Sequence, residues 1–185
     1  MKFKKITLLG VMAVLCLNFG VKAQEITPAI GEKLPDILLD NILNHPKTSA
    51  RLTDFKGKVI ILDFWATWCS NCIRGFAHLD TLQKKYNKHL QVLLVNNSSR
   101  DDLFKITTFL ERYKTDMPGF LLPIVVGNDA TKSLYYTGSL PHYIWIGYDR
   151  KVKAITGTKE VNDENVARFV AGLPLVLPVK EAGHE

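Results

Sequence analysis

The stretch from residue 59 to residue 86 constrains this chain more than any other. Val59-Ile60-Ile61-Leu62-Asp63-Phe64-Trp65 is β-branched and aromatic, which predicts a buried strand. Phe76, Leu79, Leu82 and Tyr86 then recur at helical spacing in a segment that runs to about His89. Between them stands Trp68-Cys69-Ser70-Asn71-Cys72, with two cysteines three positions apart where strand gives way to helix. A Cys-x-x-Cys pair on a strand-to-helix turn points to thiol–disulfide exchange.

The N-terminus sets the context of those cysteines. Met1 to Lys5 carries three lysines, Ile6 to Val21 is almost wholly apolar, and Val21-Lys22-Ala23 offers a small-residue cleavage site. This is the pattern of a secretory signal cut before Gln24. The apolar run is short for a spanning helix, which needs about 20 residues, so an uncleaved membrane anchor is the lesser reading. Leu15 is not the small residue that a lipid-attachment cysteine requires before it, and Cys16 is therefore assigned to the signal. Cys69 and Cys72 are then the cysteines expected in the mature chain. Residues 1–23 also hold four lysines and no acid, so their removal lowers the formal net charge from +6 to +2. A nearly balanced chain lacks the basic footprint of a nucleic-acid-binding protein. Two cysteines are too few for a disulfide scaffold, and about 160 residues suit one domain with its own core.

Further along, Gln24 to Leu34 reads as an extended lead-in, Ile37 to Leu43 as a strand, and Ser49 to Leu52 as a second short one. Leu90 to Val95 is another buried strand by composition. Ser99-Arg100-Asp101-Asp102 is expected to open a helix, capped by the serine, with Leu103, Ile106, Leu110 and Tyr113 as its apolar stripe. Pro123 interrupts the apolar run Phe120–Val126, and one or two helical turns are expected over Ala130–Tyr136, ended by Gly138. Two strands, His142–Tyr148 and Val152–Ile155, are joined by a turn at Asp149-Arg150, and a last helix begins near Asn162 with Val166, Phe169, Val170 and Leu173 on one face. Pro174 to Glu185 reads as a loose tail.

The segment Phe64-Trp65-Ala66-Thr67-Trp68-Cys69-Ser70-Asn71-Cys72 resembles the active-site segment of thioredoxins, and especially of the TlpA/ResA-type exported thiol–disulfide oxidoreductases. Leu140-Pro141 stands where members of that family carry a cis-proline facing the cysteines. The resemblance covers about Ile30 to Leu173. It implies an α/β, thioredoxin-like three-layer fold: a central mixed β-sheet flanked by helices, with extra N-terminal strands. The expected division is signal peptide 1–23, N-terminal extension 24–55, thioredoxin-like domain 56–173 and C-terminal tail 174–185.

A cysteine at a helix N-terminus lies under unpaired backbone N–H groups and the positive end of the helix dipole, both of which favour the nucleophilic thiolate. Cys69 is thus the expected nucleophile and Cys72, one turn inside, the resolving cysteine of a redox disulfide. A structural brace and half of a zinc site are the bland readings of the pair. A four-residue loop makes a weak brace, and no second cysteine pair exists to complete a zinc site, so no metal is assigned. Asp63 interrupts an apolar strand, and burial there should raise its pKa. The resemblance implies that it relays the proton of Cys72, against the alternative of a merely tolerated buried carboxyl. It also implies a cis Pro141, pairing of a client backbone with Leu140, and a partly exposed Trp68 beside the thiol; together Trp68, Leu140 and Pro141 form the expected substrate-binding set. His142 is read as a solvated strand-end histidine, and Trp65, Phe76 and Tyr86 as core.

Three positions depart from the TlpA/ResA pattern: Asn71 for a frequent proline, Gly75 for a glutamate found in some members, and Ala77 for another proline. The expected function is an exported, periplasmic oxidoreductase, a monomer without cofactor, reducing protein disulfides and served by a membrane-bound electron donor. Cysteines of apocytochrome c or of misoxidised exported proteins are the candidate clients. A thiol peroxidase on the same fold, a copper-delivering module and a pure binding domain are the rivals.

Overall fold

The computed structural model describes residues 29–127, 129–132, 134 and 138–180. The expected signal segment, including Cys16, lies outside these residues, as do parts of the 130–136 segment. Two seven-residue strands form the middle of the sheet: β4 (Val59–Trp65) and β5 (Leu90–Asn96), every residue of both buried. They run parallel, in register from Val59↔Leu90 to Trp65↔Asn96. Burial on both faces explains why their sequences are apolar almost without alternation. Among the described residues, the remaining strands are β1 (Leu38–Leu39), β2 (Ile42–Leu43), β3 (Ala50–Arg51), β6 (Ile124–Val126), β7 (His142–Ile146) and β8 (Val152–Thr156). Six of the eight make one mixed sheet in the order β2-β6-β5-β4-β7-β8, while β1 and β3 pair separately.

Helix α1 (Ser70–Lys85) crosses from β4 to β5, and α2 (Leu103–Asp116) crosses from β5 to β6. A one-turn α3 (Asp129–Lys132) and a closing α4 (Asp163–Val170) complete the helices of the described residues. Ile61 and Trp65 of β4 pack under Phe76, Leu79 and Leu82 of α1, Ile106 and Leu110 of α2, and Val166 and Phe169 of α4. The alternate β4 residues Ile60, Leu62 and Phe64 pack on the opposite face against Leu34, Ile37, Leu39, Leu52 and Phe55 of the N-terminal segment. Period-two alternation thus divides one apolar strand between two cores, and the three layers expected from the resemblance are present. Gln83 fixes α1 to β5 by accepting from the Val92 N–H at 2.7 Å and donating to the Leu90 carbonyl at 2.9 Å.

Four local expectations are corrected. The strand expected over Ile37–Leu43 is two, because Asn41 takes a left-handed φ of 51° and sends β1 and β2 into different sheets; asparagine tolerates that region better than most residues. Helix α2 is capped by Asp102, whose carboxylate accepts from the Lys105 N–H at 2.8 Å, not by Ser99, and Asp101 stays outside it. Leu103 is exposed, so the buried stripe begins at Ile106. The segment after Pro174 is irregular but docked as far as Lys180, whose N–H donates to the Ile155 carbonyl at 2.9 Å.

Candidate active site

Strand β4 ends at Trp65, and a turn closed by the Cys69 N–H donating to the Ala66 carbonyl at 3.0 Å delivers Cys69 to the N-cap of α1. Cys69 and Cys72 form a disulfide, with Cα atoms 5.3 Å apart. The Cys72 N–H points at the Cys69 sulfur from 3.3 Å. Both residues are buried, but unequally: Cys69 is 7 % exposed and Cys72 0 %. A backbone donor of the first helical turn thus aims at the outer sulfur, which stands at the positive end of the helix dipole.

Trp68 stands beside this pair and is 54 % exposed, as expected. It is held from one side: its indole Nε1 donates to Ser98 Oγ at 3.1 Å, and the Arg100 guanidinium lies 5.2 Å from the ring centroid. The same loop supplies Asp101. Its carboxylate accepts from the Thr67 N–H at 2.8 Å, from Thr67 Oγ1 at 2.5 Å and from Asn96 Nδ2 at 2.8 Å. Burial opposes its charge, but these donors, with Lys105 nearby, outweigh it and keep the carboxyl below the ordinary aspartate range. Asp101 therefore ties the cysteine turn to the end of β5.

Strand β7 runs antiparallel to β4 with His142 opposite Phe64, which brings residues 140–141 to the end of β4 from which the cysteine turn departs. The Leu140–Pro141 bond is cis. Leu140 and Trp68 line one cavity of about 250 Å³ with Ser98, Ser99, Arg100 and Gly138. Pro141 is also anchored from behind, because Lys180 Nζ donates to its carbonyl at 2.5 Å and to that of Ser139 at 3.3 Å.

Asp63 is completely buried, and Ile61 and Trp65, two positions to either side of it, belong to the cluster that contains both cysteines. The alternation of the strand places its carboxyl on that same face, beneath α1. Burial pushes its pKa well above the usual carboxylate range, and the facing Tyr143 hydroxyl offsets this only in part. His142 corrects an expectation: it is 0 % exposed rather than solvated. Burial first, and the Lys180 ammonium second, lower its pKa to about 3, so it is neutral at physiological pH.

The profile of the Redoxin family matches residues 29–170. The chain belongs to the Redoxin family. Within it, the thiol–disulfide oxidoreductase ResA of Geobacillus thermodenitrificans is 30% identical over 164 residues, covering 85% of this chain and 88% of that one. ResA of Geobacillus kaustophilus is 33% identical over 138 residues, covering 73% and 74% respectively. A Chlorobium tepidum protein assigned as a thiol:disulfide interchange protein DsbE matches in structure at a TM-score of 0.59 and 24% identity, over 78% of this chain and 99% of its own. This redoxin is thus a thioredoxin-like, ResA/TlpA-type protein and a thiol–disulfide oxidoreductase.

Three residues of the redoxin site escaped the reading of its sequence. Asp101 looked like a first-turn acid of a helix, and nothing local links it to Thr67. Lys180 lay in a segment taken for a tail. Tyr143 was read only as part of the strand His142–Tyr148. Each acquires its place through a partner at least 34 residues away or across the sheet.

Proposed function

We propose that this chain is an exported reductant of protein disulfides, with Cys69 as nucleophile, Cys72 as resolving thiol and Asp63 as the base that accepts the Cys72 proton. The observation that carries the reading is the unequal burial of two cysteines one helical turn apart: the outer one, slightly exposed and receiving N–H donation, and a fully sealed one behind it. The Cys69 thiolate attacks a client disulfide, forming a Cys69–client bond and releasing one client sulfur, which takes up a proton. Cys72, deprotonated by Asp63, then attacks Cys69 and releases the second client sulfur, leaving the Cys69–Cys72 disulfide. Two electrons pass to the client, and a membrane-bound donor of dithiol electrons returns them. The client backbone aligns at Leu140 and Pro141 by strand addition, with a side chain against Trp68. The lysine-rich, apolar N-terminal segment supports export to the periplasm. Maturation of c-type cytochromes, or repair of misoxidised exported proteins, is the proposed setting.

The test is the reduction potential of residues 24–185 against glutathione, together with turnover of insulin disulfides. A potential near that of thioredoxin, about −270 mV, with insulin reduction supports the proposal; one near about −120 mV makes the protein an oxidase and overturns the direction.

A further inference from the structure

Asp63 of β4 is in register with Tyr143 of β7, and residues paired across adjacent strands project to the same face. Tyr143 belongs to the cluster that contains Cys72 and Phe76, so its ring lies with the Asp63 carboxyl beneath α1. Gly75 sits three residues along the helix from Cys72. A Cβ placed on it would meet the Tyr143 hydroxyl at 3.6 Å, an ordinary contact, whereas a longer side chain would collide with that oxygen. The small residue at Gly75 leaves the phenol room against the helix, with its hydroxyl at contact distance from the position a Cβ would take. The phenol's polar end thus stays at the level of the Cys72 turn and the Asp63 carboxyl. On β5 the residue paired with Asp63 is Leu94, which is apolar and offers no competing donor. Among the described residues, Tyr143 from β7 is the titratable group linked to this carboxyl, and Cys69 and Cys72 of α1 share the cluster of its strand neighbours Ile61 and Trp65.

We propose that Tyr143 is a positioning residue of the resolving step, donating its hydroxyl hydrogen to the Asp63 carboxylate so that this carboxylate persists long enough to take the Cys72 proton. The proposal rests on the reading of Asp63 as the base for Cys72. In the step itself, the Asp63 carboxylate takes the proton from Cys72 Sγ, and Cys72 Sγ bonds to Cys69 Sγ. The Cys69–client bond breaks with its electron pair on the client sulfur, which is protonated from water. The dithiol loses two electrons and the client disulfide gains two. The phenol keeps its own proton throughout; it supplies only the hydrogen bond, which the buried carboxylate receives from no apolar neighbour.

Tyr143→Phe keeps the ring and removes the donor. The Asp63 carboxyl is titrated by ¹³C NMR in the oxidised protein, and insulin reduction is followed against pH for wild type, Tyr143→Phe and Asp63→Asn. The expected result is a carboxyl midpoint raised by about one to two pH units in Tyr143→Phe, with the rising limb of activity moved by the same amount, and loss of that limb in Asp63→Asn. An unmoved midpoint in Tyr143→Phe overturns the proposal, as does a moved midpoint with an unmoved activity limb. If wild type fails to reduce insulin at any pH, the reductase reading falls by itself. The NMR midpoint then still decides whether Tyr143 holds the carboxylate.

Discussion

Lys180 Nζ donates to the carbonyl of Pro141 at 2.5 Å, which couples the segment after α4 to the loop beside the cysteines. The same ammonium reaches the Ser139 carbonyl, and the lysine is only 8 % exposed. Hydrogen bonds from a charged donor are worth about 1.5–3 kcal/mol each when buried. Lys180→Met, which keeps the length of the stem, is expected to lower stability by about 2 kcal/mol and to raise the KM for a protein disulfide severalfold while kcat changes little. Urea denaturation and insulin-reduction kinetics check the two parts, and an unchanged KM would show that the anchor serves stability alone.

His142 makes stability depend on acid. Its pKa is about 3 in the fold against 6.5 for the free side chain, so the unfolded chain binds the proton first. The stabilising contribution is complete above pH 6.5 and is lost as pH falls toward 3, at about 1.4 kcal/mol per pH unit. His142→Gln is expected to flatten the stability curve across that window, as followed by denaturant melts at successive pH values.

Asp63 acts with the opposite sign. Its folded pKa lies above the usual 3.8, so its contribution is complete below that value and declines as pH rises toward the folded pKa. Asp63→Asn should therefore be more stable than wild type at alkaline pH, and its disulfide-reducing rate should fall on the order of 100-fold at neutral pH. Gain of stability with loss of rate marks a group kept for chemistry; loss of both would make it a packing residue.

The reduced protein should be alkylated once. With Cys72 at 0 % exposure and Cys69 at 7 %, iodoacetamide is expected to label Cys69 alone until denaturant is added, as read by peptide mass mapping. Cys72→Ser should trap a mixed disulfide with a client, while Cys69→Ser should trap none.

Asp101→Asn leaves a neutral acceptor where a carboxylate receives three hydrogen bonds from Thr67 and Asn96. The expected cost is about 1–2 kcal/mol. Because the adjacent Trp68 is held by Ser98 and Arg100 on the same loop, a change in its fluorescence should accompany that loss.

The strand–turn–helix unit at residues 59–85 was legible because its signals are local: a run of β-branched residues, a cysteine spacing and a helical stripe. Asp63 was legible for the same reason, as one acid in an apolar strand. His142 was misread because a histidine next to a proline looks like a strand end; its burial depends on packing against Phe64, at a ring-centroid distance of 5.5 Å, and on Lys180 beyond α4. The split between β1 and β2 was invisible because it turns on the backbone of Asn41, while the composition across it stays apolar.

Both flanks of the main sheet are occupied. On β8, residues 31–34 engage the outer edge around Val152, and the Lys180 amide takes the Ile155 carbonyl. At the other flank β2 is two residues long, and its Ile42 amide is turned to Thr48. Neither border offers a long run of vacant amides onto which a neighbouring molecule could stack. A thiol–disulfide oxidoreductase with both borders blocked in this way is thereby protected from being templated by the chains it meets.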